Sequence, residues 1–139
     1  MNANCIKRRI LLLFVPVMLL SLLATGQELN LSGKWTKKSY SISGSWKIFK
    51  SGDHYKLLLD DDFKTKSAPD LKIFLSKNDT NELSSENATN GAILVSKLSK
   101  ASGKQEYIIK ESIDILQYKS ILLHCEEYSV LWGAADLTN

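Results

Sequence analysis

Apolar and polar residues alternate along several short runs of this chain, with the period of two that is typical of half-buried β-strands. The clearest run is SISGSWKIFK at 41–50, where Trp46 and Ile48 alternate with polar neighbours. Gly44 inside this run indicates a bulge or a close approach of another backbone segment. A turn signal at 51–53 and a second apolar run, HYKLLL at 54–59, follow. Residues 41–59 are therefore predicted to form a β-hairpin.

Further short β-type runs occupy the rest of the chain and are separated by polar segments. The first strand is predicted to begin at Gly33. Further strands are predicted at 71–76, 105–109, 119–125 and 128–132, and 92–98 is predicted to be a strand or a short helix. Residues 27–33 are predicted to be a polar lead-in, and 77–91, rich in Asn, Ser, Thr and Glu, a long surface loop and the least ordered internal segment. No stretch has a helical period longer than about three turns. The sequence predicts an all-β fold, an antiparallel β-sandwich or a partly open β-barrel of about eight short strands.

The first 26 residues have the three-part pattern of a cleaved signal peptide. Lys7, Arg8 and Arg9 form the basic region, residues 10–23 the apolar region, and Ala24-Thr25-Gly26 the small-residue cleavage site. The apolar region is shorter than the roughly 20 residues that a membrane-spanning helix needs. We therefore expect residues 1–26 to be a signal peptide, residues 27–139 a single exported domain in the periplasm or outside the cell, and no membrane span after cleavage. The alternative is an uncleaved anchor.

Removal of this leader changes the charge balance of the protein. The whole chain has 18 Lys and Arg against 15 Asp and Glu, and the leader contains three of the basic residues and none of the acidic ones. Residues 27–139 therefore have 15 of each sign, no net charge and no arginine. Such a composition gives no support to binding of nucleic acid or of an anionic membrane.

Only one cysteine, Cys125, remains after the leader is removed, because Cys5 lies within the leader. An exported domain with one cysteine has no internal disulfide, so the thiol is buried, reactive, a ligand, or paired with another chain. On a strand, consecutive side chains point to opposite faces. Cys125 should share a face with Ile121 and Leu123 while His124 faces the other way, so His124 and Cys125 do not form a catalytic pair unless a bulge reorients one of them.

Other candidate sites are weaker. His54, His124 and Cys125 are the plausible ligands for a metal or a prosthetic group, yet they lack the paired short spacing of zinc motifs. Asp60-Asp61-Asp62 lacks the ligand spacing of a calcium loop and is predicted to be a solvated turn.

Several separated stretches together resemble the DM-thirteen domain family. They are Ser43-Gly44 with the strand that follows, Ala68-Pro69-Asp70-Leu71 with Phe74-Leu75-Ser76, Leu98 with Gly103-Lys104-Gln105-Glu106-Tyr107, and Tyr118-Lys119-Ser120 through Cys125 to Trp132-Gly133-Ala134. The resemblance covers about 33–137. It implies an all-β extracytoplasmic domain that acts in electron transfer, with Cys125 as a bare redox thiol or as a ligand to a prosthetic group such as haem, and with a separate redox protein as partner.

Two alternatives from other classes remain. One is a secreted binding or adhesion module in which Cys125 is an ordinary core residue, because an apolar environment makes a thiol inert. The other is a small barrel that binds an apolar ligand between aromatic side chains. The candidates for that lining are Trp35, Trp46, Trp132, Tyr55 and Tyr107.

Overall fold

The computed structural model describes residues 26 and 28–137, and antiparallel β-strands dominate that part of the chain. The strands are β1 (Asn30–Lys34), β2 (Thr36–Lys37), β3 (Ile42–Ser43), β4 (Ser45–Ser51), β5 (His54–Leu59), β6 (Lys64–Thr65), β7 (Leu71–Ser76), β8 (Ile93–Lys97), β9 (Gln105–Ile109), β10 (Ser120–Cys125) and β11 (Val130–Asp136). Two single turns of 3-10 helix lie at Thr80–Glu82 and Ile115–Gln117. The predicted all-β fold is confirmed, with eight strands of five to seven residues and three of only two.

Two sheets form the body of the domain. The four-stranded sheet has the order β1-β4-β5-β9, and the five-stranded sheet has the order β2-β11-β10-β7-β8. The short strands β3 and β6 pair separately with each other. The arrangement is a sandwich with no closed barrel among the described residues.

The main core lies between the two sheets, because both sheets contribute one alternating row of buried apolar residues. Its largest fully buried members include Trp46, Ile48, Leu57, Ile73 and Ile121. Of the aromatic residues considered for a ligand cavity, Trp35, Trp46, Trp132 and Tyr107 are buried members of this core, and Tyr55 packs against it. These rings are therefore part of the packed interior of a sandwich.

A second, smaller core covers the outer face of the five-stranded sheet. Phe74 and Leu122 on that face pack with Leu83 and Ala88 of the β7–β8 connection. Residues 77–91 do form the predicted long connection. They are not merely a solvated loop, however, because their two apolar residues, Leu83 and Ala88, are both buried against the sheet.

The hairpin predicted at 41–59 is confirmed for β4 and β5, which pair through Ser51 and His54 around a turn at Gly52. Gly44 interrupts the first strand, as its place in the pattern indicated. Its φ is +104°, and a Cβ at this position would lie 2.5 Å from the Cα of Phe63. The glycine therefore allows the 60–63 turn to pack against the backbone where β3 ends and β4 begins.

Two strand boundaries differ from the sequence prediction. The predicted polar lead-in contains β1, which begins at Asn30 because its pairing with β4 buries Leu31. The last strand, β11, continues to Asp136 because it pairs with β10 through residues as small as Gly133 and Ala134. Small residues carry little hydrophobic pattern, so the prediction stopped at Trp132.

The predicted leader at 1–26 lies outside the described residues apart from Gly26. No helix in the described part of the chain is long and apolar enough to cross a membrane.

Candidate functional site

Cys125 is the last residue of β10 and lies at the end of the main core. It is fully buried, and its strand neighbours are Leu71 on β7 and Val130 on β11. The thiol donates a hydrogen bond to the carbonyl oxygen of Pro69 at 3.2 Å. Pro69 is itself an exposed residue, so the buried sulfur is bonded to a segment that lies at the surface.

His124 faces away from Cys125, as the strand period predicted. Its ring lies on the outer face of the five-stranded sheet, edge-on to Phe74 with 6.3 Å between ring centroids. The Nδ1 atom is 2.9 Å from the Glu126 carboxylate. A bulge is present here, but it belongs to β11, where Trp132 is the extra residue between the partners of Leu123 and His124. The alternation of β10 is preserved, and the two side chains remain on opposite faces.

His54 belongs to the other sheet, at the turn between β4 and β5. Its Nδ1 atom is 3.1 Å from the carboxylate of Asp53. This hydrogen bond, with a smaller contribution from the charge of the imidazole, lowers the pKa of Asp53 below its ordinary value. The structure therefore does not bring His54 together with His124 and Cys125.

These positions bear on whether a prosthetic group fits at Cys125. The inner face of β10 around the sulfur is occupied by Ile121 and Leu123, both fully buried in the packed core. Two surface clefts are present in the described part of the chain, and neither is lined by Cys125, His124 or His54. No group of three or more His, Cys, Asp or Glu side chains in that part of the chain could hold a metal ion. The residues around Cys125 do not fit a haem, because the packed core beside the sulfur leaves no space for the macrocycle.

The predicted solvated turn at 60–62 has a structural role. The carboxylate of Asp62 accepts hydrogen bonds from the backbone N–H of Ser45 at 2.8 Å and from its hydroxyl at 2.9 Å. These bonds, chiefly the one from the backbone N–H, lower the pKa of Asp62 below its ordinary value. The turn thereby fixes the start of β4.

A basic cleft of about 500 Å³ lies beside the β3–β6 pair. We call it the lysine cleft, and its lining consists of Lys37, Ser41, Ile42, Ser43, Lys64, Thr65 and Lys66. The three lysines are exposed, while Ile42 and Thr65 are buried at its base. None of the three lysines forms an ion pair within the described residues.

An aromatic pair connects the region of this cleft with the main core. The ring of Tyr40 stacks on Trp132 with 4.1 Å between centroids and 27° between planes. The Nζ of Lys66 lies 5.3 Å from the centre of the Tyr40 ring. The Trp132 indole N–H donates to Thr65 Oγ1 at 2.9 Å, and the Thr65 hydroxyl donates to the Ser41 carbonyl at 3.0 Å.

The lysine cleft has almost no signal in the amino-acid sequence. Lys37 is far from Lys64 and Lys66 along the chain, and single lysines between polar residues are typical of any surface. Pairing of β3 with β6 and of β2 with β11 brings them to one place. The order Lys64-Thr65-Lys66, with both lysines exposed around a buried threonine, was the only local hint.

Comparison with known proteins identifies the family. The model of the family described as Electron transfer DM13 matches residues 34–137, which include every strand from β2 to β11 and Cys125. No curated protein and no solved structure has significant similarity to the chain. The resemblance to DM-thirteen domains that the sequence motifs indicated is thus confirmed, and the chain belongs to the electron transfer DM13 family.

Proposed function

We propose that this domain transfers electrons outside the cytoplasm through the bare thiol of Cys125. Membership of an electron-transfer family supports a redox role. The single observation that carries the assignment to Cys125 is its position, since the one thiol of the described residues is buried yet hydrogen-bonds to the backbone of Pro69, an exposed residue. An electron can pass through this contact, whereas a bulky substrate cannot reach the buried sulfur.

The chemistry of the bare thiol is a one-electron step. The S–H bond of Cys125 breaks, the proton passes to solvent, and one electron passes to a strongly oxidising one-electron carrier protein, leaving a thiyl radical. The reverse step restores the thiol when a reduced carrier returns the electron and solvent returns the proton. Burial among apolar side chains keeps other thiols away from the radical.

Spectroscopy and electrochemistry test this proposal. Protein isolated from its native host should be colourless, and voltammetry of the adsorbed protein should give a signal that Cys125→Ser abolishes. Ile121→Val, a small change on the same face of β10, is the matched control and should keep the signal. A Soret band would contradict the bare-thiol assignment, and a signal that survives in Cys125→Ser would rule out this residue as the redox group.

Complete burial of Cys125 favours one rival function, a binding module in which the cysteine is only a core residue. Reaction of Cys125 with a thiol reagent should be slow under both hypotheses, because the sulfur is fully buried. Electron exchange with a carrier protein distinguishes the redox thiol from the binding module. If Cys125→Ser lost only stability and kept full activity, the binding module would be the better reading.

We also propose that the domain is exported after cleavage of residues 1–26, since the leader has the basic, apolar and small-residue regions of a signal peptide. Intact-mass measurement of the exported protein should give a chain that begins at Gln27. A mass that retains the leader would indicate a membrane-anchored protein instead.

A further inference from the structure

The lysine cleft concentrates positive charge on a domain that has no net charge as a whole. Residues 27–139 contain equal numbers of basic and acidic side chains. Five of the fifteen lysines form ion pairs with carboxylates, and Lys37, Lys64 and Lys66 are among the ten that form none in the described part of the chain. The cleft is distinguished by bringing three of these lysines together. An exposed group of uncompensated charges attracts a partner of opposite sign and speeds its approach.

The type of charge indicates the type of partner. Residues 27–139 contain no arginine, so the cleft has no planar guanidinium for paired hydrogen bonds to one carboxylate or phosphate. Lysines on flexible stems act as separate point charges. Such charges suit the dispersed carboxylates of a protein surface and the small, transient interfaces that electron carriers use.

The aromatic pair beside the cleft adds a second observation. Tyr40 is 38% exposed and stacks on Trp132, which is 3% exposed and belongs to the same core as Cys125. A protein that covers Lys66 therefore also approaches Tyr40, since the lysine Nζ lies over that ring. The surface at the cleft is thus continuous, through two stacked rings, with the core that contains the thiol.

We propose that the lysine cleft is the docking surface for the acidic face of a separate electron-carrier protein. The identity of the partner as an electron carrier rests on the proposed function, whereas the acidic character of its surface rests on the lysines alone.

Titration followed by nuclear magnetic resonance tests the docking surface, with an acidic blue-copper protein as the probe. Backbone amides of residues 37–43 and 64–66 should shift, and affinity should fall about tenfold or more between low salt and about 0.15 M, as for other electrostatically steered encounters. Amidation of the carboxylates of the probe should abolish the shifts. Shifts confined to another surface would overturn the proposal.

Charge-reversal variants with a matched control test which lysines bind the probe. The double variant Lys64→Glu/Lys66→Glu should weaken binding by about tenfold or more, and Lys37→Glu should weaken it to a smaller extent. The control Lys50→Glu/Lys110→Glu makes the same change in net charge at exposed positions of the four-stranded sheet and its β9 end, and should change affinity less than about threefold. Equal losses in the two double variants would overturn the proposal, because net charge alone would then explain the binding.

Two further measurements test whether docking depends on Cys125 and whether the cleft binds small anions instead of a protein. Cys125→Ser should bind the probe as well as the parent protein, so docking can be tested even if Cys125 is not the redox group. Citrate should not displace the probe at the same ionic strength. If citrate alone shifted the cleft amides and the probe did not, the cleft would be a small-anion site and the docking proposal would be wrong.

Discussion

The sulfur of Cys125 lies 3.2 Å from the carbonyl oxygen of Pro69, so the end of β10 is tied to the turn that precedes β7. A second hydrogen bond joins the same two segments, since the Glu126 N–H donates to the Asp70 carbonyl oxygen at 3.1 Å. Asp70 has a positive φ of 56°, a conformation that few residues other than glycine adopt. The thiol therefore lies beneath a strained turn that backbone and side-chain hydrogen bonds hold in place.

Replacement of this thiol should cost moderate stability without loss of the fold. Cys125→Ser places a shorter, more polar hydroxyl in an apolar site, where poor alignment with Pro69 should lower the free energy of unfolding by about 1 to 3 kcal/mol. Urea denaturation measures the change. Cys125→Ala, which has no polar atom to bury, is the control and should be no less stable than the serine variant. An unchanged urea midpoint for Cys125→Ser would contradict a buried thiol.

Gly44→Ala should be among the most destabilising single changes in the domain. A Cβ at this position would lie 2.5 Å from the Cα of Phe63 and 2.6 Å from the carbonyl oxygen of Asp62, both of them backbone atoms, and φ is +104°. We expect a loss of about 3 kcal/mol or more in the free energy of unfolding. Gly52→Ala is the control, because φ is +67° there but nothing lies within 4 Å. It should lose only about 1 to 2 kcal/mol, and equal losses would contradict the close approach at Gly44.

The hydrogen bond between Trp132 and Thr65 should contribute measurable coupling between the five-stranded sheet and β6. Thr65→Val removes the acceptor and leaves the buried indole N–H unpaired, which should cost about 1 to 3 kcal/mol. Trp132→Phe removes the donor together with packing. Chemical denaturation of both single variants and the double variant should give a coupling energy of about 0.5 kcal/mol or more. Strict additivity would contradict the bond.

Asp62 should stabilise the fold in a pH-dependent manner. Its pKa in the folded protein is below the ordinary value of 3.8, because Ser45 donates two hydrogen bonds to the carboxylate. A lowered pKa means that the stabilisation is complete above pH 3.8 and is lost as the pH falls through the lowered pKa. Asp62→Asn should therefore have a lower urea midpoint than the parent protein at pH 7, and the difference should shrink below pH 3.8.

The control for this experiment is Asp61→Asn, an exposed neighbour that makes no hydrogen bond through its side chain within the described residues. Its urea midpoint at pH 7 should equal that of the parent protein. A difference for Asp62→Asn that stayed constant from pH 7 to acid would show that the charge of this carboxylate has no role.

Limited proteolysis should cut first within residues 78–90, which contain few apolar residues to offset the entropy of ordering. Leu83 is only 7% exposed and packs in the second core, so Leu83→Ser should speed this cleavage. Glu86→Ser, at an exposed position of the same segment, should not. Preferential cleavage within 41–59 would contradict the hairpin.

The sequence by itself determined most of the longer strands and which faces they bury. Alternation is a local property, because neighbouring side chains on a strand point in opposite directions whatever the strand pairs with. It therefore predicted the β4–β5 hairpin, the bounds of β7 and β9, and the separation of His124 from Cys125. The motifs spread over 33–137 were enough to identify the family.

Only the tertiary structure decided which strands pair and what lies between distant segments. Pairing depends on residues far apart in the chain, so no local pattern encodes the joining of β3 with β6 or the place of Trp132 in a bulge. For the same reason the lysine cleft could not be predicted, since Lys37 reaches Lys64 and Lys66 only through two separate pairings. The depth of Cys125 beneath Pro69 is likewise a property of packing, because a strand pattern gives the direction of a side chain and not what covers it.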